Sequence, residues 1–319
     1  MNTYLKYKPV WYRIIVLGSL VLGCSLVFGL LGMYLISSVT GMPLREVQAI
    51  DFTDPSTGSA QKILVLVNSI AVFLAPALLY AYFADPRPLH FLRLNTRSQR
   101  WHWPVAVAII LVAIPSAFWL GELNKGLDIS RLMPGFDKWM RESETGNNKI
   151  IEAFLSGQTL QDLFVNLLIL AAVPAIGEEL FFRGLLQKGI IRSTRNVWLG
   201  ILLSAFIFSA IHLQFLTFLT RFEMGIILGA LFWYSGSLWI PILAHFVFNG
   251  LQVFVAYWKP GMTEAPPEAV TAGWVGVSFL LVILIIVILR KTSQVSLYEV
   301  FDDEDDFDIN TGPKDEYLY

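Results

Sequence analysis

Three short runs in this chain carry side chains that can move protons and hold a charged intermediate. They are Glu178-Glu179-Leu180-Phe181-Phe182-Arg183, Phe208-Ser209-Ala210-Ile211-His212 and His245-Phe246-Val247-Phe248-Asn249. Each lies within or at the end of an apolar stretch. A charged side chain at the centre of a bilayer costs roughly 2.5–3.5 kcal/mol even on insertion scales, so ionisable groups retained there mark a functional site by default. A carboxylate in a low-dielectric pocket can act as a general base near neutral pH. An imidazole can share the work on a water molecule. A second imidazole and an amide can donate hydrogen bonds to a developing oxyanion. Together these groups suit attack of water on an amide carbonyl.

Helical spacing sorts them. Glu179 and Arg183 stand at i and i+4, the order that favours an ion pair on one helix face. Glu178 lies about 100° around the helix, so Arg183 can neutralise Glu179 while Glu178 points elsewhere. The plainer reading of Glu179 and Arg183 is a salt bridge that anchors the helix; Arg183 could also touch a substrate carbonyl. Pro174, four residues before Glu178, removes a backbone donor and can kink the helix. His245 and Asn249 share one face. One intramembrane histidine alone could be an interhelical hydrogen bonder, but two histidines, two glutamates and an asparagine on three helices weaken that reading. His90 and His102, in a basic loop and at its helix boundary, read as surface residues. No Gly-x-Ser-x-Gly elbow, His-Glu-x-x-His or phosphate-binding glycine loop is present.

The elements that must position these groups are membrane helices. The chain is 55% hydrophobic and 15% charged, with a mean hydropathy of +0.59, against about 25% charged residues in soluble domains. Its net charge of −2 supplies no basic field for nucleic acid. The single cysteine, Cys24, allows neither an intrachain disulfide nor a cysteine metal site. A spanning helix needs about 20 apolar residues. Eight segments fit, 14–37, 63–83, 103–121, 161–182, 197–214, 216–235, 239–258 and 272–289, with Arg221 and Glu223 interrupting the sixth. The predicted fold is all-α and polytopic, about eight transmembrane helices enclosing a catalytic cavity. The first apolar stretch is too long for a signal-peptide core and reads as a retained helix.

Placing both termini in the cytoplasm puts 14 of the 23 basic residues on that side, including Arg87, Arg93, Arg97, Arg100, Lys188, Arg192 and Arg195. It also puts Glu178 and Glu179 toward the cytoplasmic end of the fourth segment. Trp101, Trp103, Trp239 and Trp258 flank proposed spans as interfacial aromatics do. Segment 122–160 reads either as an amphipathic helix on the outer surface or as an ordinary polar loop. The organisation expected is N-terminal helices and a long extracytoplasmic loop over 1–160, a catalytic core over 161–258, a last helix over 259–291, and an acidic, disordered tail over 292–319.

The three motifs, Glu-Glu-x-x-x-Arg at 178–183, Phe-x-x-x-His at 208–212 and His-x-x-x-Asn at 245–249, resemble the CPBP family of intramembrane proteases. That family includes the type II CAAX prenyl endopeptidases and the bacteriocin-processing Abi proteins. The match covers roughly residues 160–255. The resemblance implies an intramembrane peptidase with a helical core and a cavity open to the cytoplasm. Carried over by position, Glu178 and His212 activate the water, His245 and Asn249 form the oxyanion hole, and Glu179, Arg183 and Phe208 support the site. It further implies a glutamate-type mechanism without a metal, in a family formerly classed as metalloproteases. Ligand count alone also allows a zinc site from His212, His245 and a glutamate.

The expected partners are the lipid bilayer and a membrane-associated or lipidated (CAAX-like) peptide or protein, with no nucleic acid. The expected location is the bacterial inner membrane. Two other classes compete: a non-catalytic bacteriocin-immunity or scaffold protein of the same fold, and a transporter or proton relay. The transporter class expects paired broken helices in two related halves, and no such repeat is visible.

Overall fold

The computed structural model describes residues 4–5, 8–52, 54–127, 133–155, 157–259 and 271–295; the acidic run of the tail lies outside them. No strand occurs among the described residues. The long helices are α1 (Val10–Thr40), α2 (Gly58–Ala84), α3 (His102–Lys125), α4 (Pro134–Leu155), α5 (Leu160–Thr194), α6 (Val197–Ala210), α7 (Phe218–Ser235), α8 (Trp239–Trp258) and α9 (Ala272–Thr292). Seven of them are long and apolar enough to cross a membrane: all but α4 and α6. The chain is therefore a polytopic all-α membrane protein, and each of the eight predicted segments is helical. Leu22, Leu26 and Leu30 of α1 and Leu280, Ile283 and Leu284 of α9 are exposed, as lipid-facing side chains are.

Two predicted spans differ from expectation in length. The fourth does not stop near Arg183 but runs on to Thr194 as one 35-residue helix. Glu178 therefore lies sixteen residues before its end, about 24 Å of helix. The fifth has only 14 residues, about 21 Å of a hydrocarbon core about 30 Å thick. Asn196 starts α6 by accepting a hydrogen bond from the Leu199 amide at 3.0 Å. Leu213, with φ 53°, turns the chain back in a left-handed conformation costly for a branched residue.

Pro174 does not break α5. The helix widens just before it, with i→i+5 hydrogen bonding over Leu167–Ala172, and α2 does the same over Ile70–Leu74 ahead of Pro76. A proline ring displaces the carbonyl four residues back, and a widened turn absorbs that displacement without a kink. A third widened stretch, Leu180–Gln187, carries Arg183.

The two ends of the bundle are distinct. At one end the Leu5 amide donates to Phe83 O, Lys188 Nζ to Phe91 O and Arg93 Nε to Gly236 O. Val295 stands against Gly236. This end therefore gathers Leu5, the 85–101 loop, the end of α5, the α7–α8 turn and the chain after α9. At the opposite end α4 lies across the bundle, and segment 122–160 holds an amphipathic helix. Asp137, Met140, Glu144 and Phe154 face inward, and Phe136 and Trp139 pack on Phe215 at ring distances of 5.3 and 5.7 Å. Burial pushes the Glu144 carboxyl up from its ordinary value. His102 is not a surface residue. It opens α3 only 2% exposed, its ring 4.3 Å from that of Trp101.

α6 and α7 approach most closely at Gly225, where an added Cβ would stand 2.8 Å from Ala205 Cβ and 2.9 Å from its Cα. Backbone so near cannot yield as a flexible side chain can. Gly225→Ala is expected to destabilise by about 1–3 kcal/mol. Gly18→Ala, with no atom within 4 Å of the new methyl, should leave the melting temperature in detergent unchanged or slightly raised.

Candidate active site

The site is built on a fully buried cation. Arg183 Nη1 donates to Glu179 Oε1 at 2.8 Å, and Nη2 donates to the Gly225 carbonyl at 3.1 Å. Neither Arg183 nor Glu179 has any exposed surface. The guanidinium carbon lies 5.0 Å from the centre of the Phe208 ring, a cation–π contact. Gln187, one helical turn further along α5, donates to the Gly229 carbonyl at 3.0 Å. Two parallel rungs thus tie α5 to α7, and glycines at 225 and 229 let the side chains reach backbone.

Glu179 is shared. The same Oε1 lies 2.8 Å from His245 Nδ1. A carboxylate only accepts, so Nδ1 carries the proton there. His245 Nε2 then faces Glu178, with Oε2 at 3.8 Å, too long for a direct hydrogen bond. His212 Nδ1 lies 2.7 Å from the Phe208 carbonyl. A carbonyl also only accepts, so this contact assigns the proton to Nδ1 and leaves a lone pair on Nε2 in the neutral imidazole. The Phe208 ring meets His212 edge-on at 5.0 Å and His245 at 5.9 Å, standing between the two imidazoles.

Glu178, Phe208, His212, His245 and Asn249 line one small cavity of about 70 Å³, together with Arg221, Met224 and Phe248. All four side chains expected to do chemistry are thus brought together, from α5, the turn after α6, and α8. Glu179 and Arg183 stand behind the cavity wall. Arg221 was legible in the sequence only as a polar interruption. The structure separates it from Glu223: two positions apart on a helix lie about 200° apart, so Arg221 faces the cavity and Glu223 lies beside Ser116 of α3. Arg221 is held by neutral oxygens, Gln214 O at 3.3 Å, Gln214 Oε1 and Thr217 Oγ1.

A cluster of three His, Cys, Asp or Glu side chains able to hold a metal is not found among the described residues.

The His212 side of the cavity lies toward the α4 end of the bundle, whereas Glu178 is near the middle of α5 and His245 is the seventh residue of α8. His212 is in the 211–217 turn, which α4 covers through Phe215. On the other side the floor is sealed by Leu180, Phe182, Leu185, Phe232 and Ile242, all buried.

Residues 160–251 match the family described as type II CAAX prenyl endopeptidase Rce1-like. The chain is similar to an uncharacterized protein, YpbD, of Bacillus subtilis (strain 168), at 26% identity over 192 residues, 58% of this chain and 84% of that protein. It is also similar to an uncharacterized 24.3 kDa protein of Escherichia coli, at 31% identity over 93 residues, 28% of this chain and 42% of that one. No solved structure matches the chain.

Removing one partner of a buried ion pair leaves a charge with nothing to offset its desolvation, at a cost of about 3–5 kcal/mol. Arg183→Met should therefore lower the melting temperature sharply. Adding Glu179→Gln removes the stranded charge and should recover part of the loss. A double variant no more stable than Arg183→Met would show that the pair is not the stabilising unit.

Proposed function

We propose that this chain, whose residues 160–251 belong to the type II CAAX prenyl endopeptidase Rce1-like family, is an intramembrane endopeptidase that hydrolyses a peptide bond with water activated by Glu178 and His212. The family is one of proteases, which supports peptidase activity in general; the chemistry and the roles below are our reading. The observation that carries it is the convergence of a carboxylate outside the Glu179–Arg183 ion pair, two imidazoles and an amide on one cavity.

In this reading Glu178 and His212 Nε2 hold the attacking water, and the carboxylate takes its proton as the hydroxide adds to the carbonyl carbon. The oxygen of the tetrahedral intermediate receives the Asn249 amide N–H and His245 Nε2–H. Because Glu179 takes the Nδ1 proton, this step needs a proton on both ring nitrogens of His245, which Glu179 and Glu178 flank at 2.8 and 3.8 Å. Collapse of the intermediate passes the proton from Glu178 to the leaving amine. Arg183 touches no reacting atom; it holds Glu179, and through it the His245 ring.

The substrate class that fits is a membrane-associated or lipidated peptide, a reading supported by the apolar, membrane-length helices α5 and α8 that line the cavity. The bacterial relatives support an inner-membrane location. A metal-free, glutamate-type mechanism is part of the proposal.

Purified protein should cleave a quenched lipidated peptide in detergent or proteoliposomes. Glu178→Gln is expected to lower kcat by about 10²–10⁴-fold and Asn249→Ala by about 10²–10³-fold, with melting temperatures close to that of the parent. Full activity of Glu178→Gln would remove the assigned base. Loss of activity in chelator, restored by zinc, would overturn the metal-free assignment.

A further inference from the structure

The two imidazoles of the site are held differently. His245 stands inside α8, and its Nδ1 proton goes to Glu179, which Arg183 holds in turn. His212 stands outside both of its flanking helices. α6 ends at Ala210 and α7 begins at Phe218, so the direction of the His212 ring depends on the turn between them. The backbone would not keep that turn unaided. Leu213, beside His212, has φ 53°, and a branched residue in this left-handed region persists only where its surroundings over-determine it. The bond from His212 Nδ1 to the Phe208 carbonyl, at 2.7 Å, fixes one atom of the ring and not the chain that carries it.

Arg221 supplies a hold on that chain. Its Nη1 donates to the Gln214 carbonyl at 3.3 Å and to Thr217 Oγ1, and its Nη2 donates to Gln214 Oε1. Gln214 is two residues after His212. Thr217 Oγ1 donates to the same Gln214 carbonyl at 3.3 Å, so guanidinium and hydroxyl close on one backbone oxygen. α3 grips the turn from another side: Asn124 donates to Phe215 O at 2.7 Å and accepts from the Leu219 amide at 2.9 Å. Ser209 Oγ donates to Phe218 O at 2.6 Å. Irregular backbone among apolar helices needs such partners.

The shape of the guanidinium suits this task more than its charge does. All three of its acceptors are neutral oxygens. Glu178, in the same cavity, and Glu144 of α4 are the carboxylates near enough to act on it, and neither forms an ion pair with it among the described residues. A planar fork reaches separate oxygens at once, whereas an ammonium is a point charge on a flexible stem. Arg221 also lines the cavity with His212 and Glu178, so a shift of the turn it holds is felt where the water sits.

We infer that Arg221 is a positioning residue: it holds the 213–217 turn in the conformation that aims His212 Nε2 into the cavity, as Arg183 holds His245 through Glu179. The catalytic consequence rests on the peptidase reading; the hold on His212 does not.

The purified protein and its variants are assayed on the quenched lipidated peptide. Arg221→Met is expected to lower kcat by about 10²-fold with KM unchanged. Arg221→Lys keeps the charge, loses the fork and should fall with it. Gln214→Met combined with Thr217→Val removes the side-chain acceptors without touching the arginine and should give a loss of the same kind. In a His212→Ala background Arg221→Met should cost nothing further, because residues that act as a unit are not additive. Three results would each overturn the inference. Parental kcat in Arg221→Lys or in the turn pair shows that the fork is not what matters. A raised KM with unchanged kcat makes Arg221 a substrate-binding residue. The full loss repeated in the His212→Ala background assigns its effect to a route that bypasses His212.

Histidine nitrogen-15 NMR spectra test the hold without any need for activity. The chain has four histidines, and the His212 resonances are assigned by their loss in His212→Ala. The parent should show neutral His212 with its proton on Nδ1. Arg221→Met should convert it to a mixture of Nδ1–H and Nε2–H forms, with His245 unchanged. An unaltered His212 spectrum in Arg221→Met would refute the positioning role. No cleavage by the parent protein would sink the peptidase reading while the spectra still decided the hold.

Discussion

A guanidinium with no contact to water must be neutralised and given hydrogen-bond acceptors, or its burial in a membrane protein is prohibitively costly. Arg183 sets that requirement; Glu179 and the Gly225 carbonyl take its two terminal nitrogens and the Phe208 ring takes its face, while Nε has no hydrogen-bond partner among the described residues. Three helices are fixed by this one group: α5 supplies the pair, α7 the carbonyl, α6 the aromatic face. Through Glu179 a fourth, α8, is tied in at His245. The cavity exists because these helices are held at the distances that satisfy a buried charge. A lysine could not reproduce this, since it lacks the planar fork that binds a carboxylate and a carbonyl together.

The glycines follow from the same demand. For Arg183 to reach backbone on α7, that helix must come close to α5 and α6, and a side chain at 225 would meet Ala205 first. Small residues where helices meet are the usual means of close approach in lipid, where no hydrophobic effect drives helices together. The widened turns of α5 serve another need. Pro174 and a 35-residue apolar helix are compatible only if the displaced carbonyls are absorbed locally, and the Leu167–Ala172 stretch absorbs them.

Much of this was legible in residue types and spacing. The i, i+4 relation of Glu179 and Arg183 predicted their pairing, and the 100° offset separated Glu178 from them. Apolar runs located the helices to within a few residues. Other features were hidden for identifiable reasons. Hydropathy ended the fourth segment at the charged cluster because it cannot register that Arg183 and Gln187 each hydrogen-bond a backbone carbonyl of α7. Arg221 and Glu223 looked like one interruption, and only the helical phase around α7 sends one into the cavity and the other toward α3. His102 looked exposed because its neighbours are basic, yet its ring packs on Trp101.

The adjacent glutamates show how one backbone places identical groups in opposite states. Glu179 accepts from a guanidinium and an imidazole on a single oxygen, which commits its charge to structure. Glu178, one residue earlier and rotated about 100°, accepts no hydrogen bond among the described residues and faces the cavity. A carboxylate already compensated by a permanent cation makes a poor base, because taking a proton would strand that cation. A carboxylate that faces open space and is not hydrogen-bonded to that cation can take one at lower cost. The arginine at i+4 therefore selects which of the two glutamates is free to react: it satisfies the second and leaves the first.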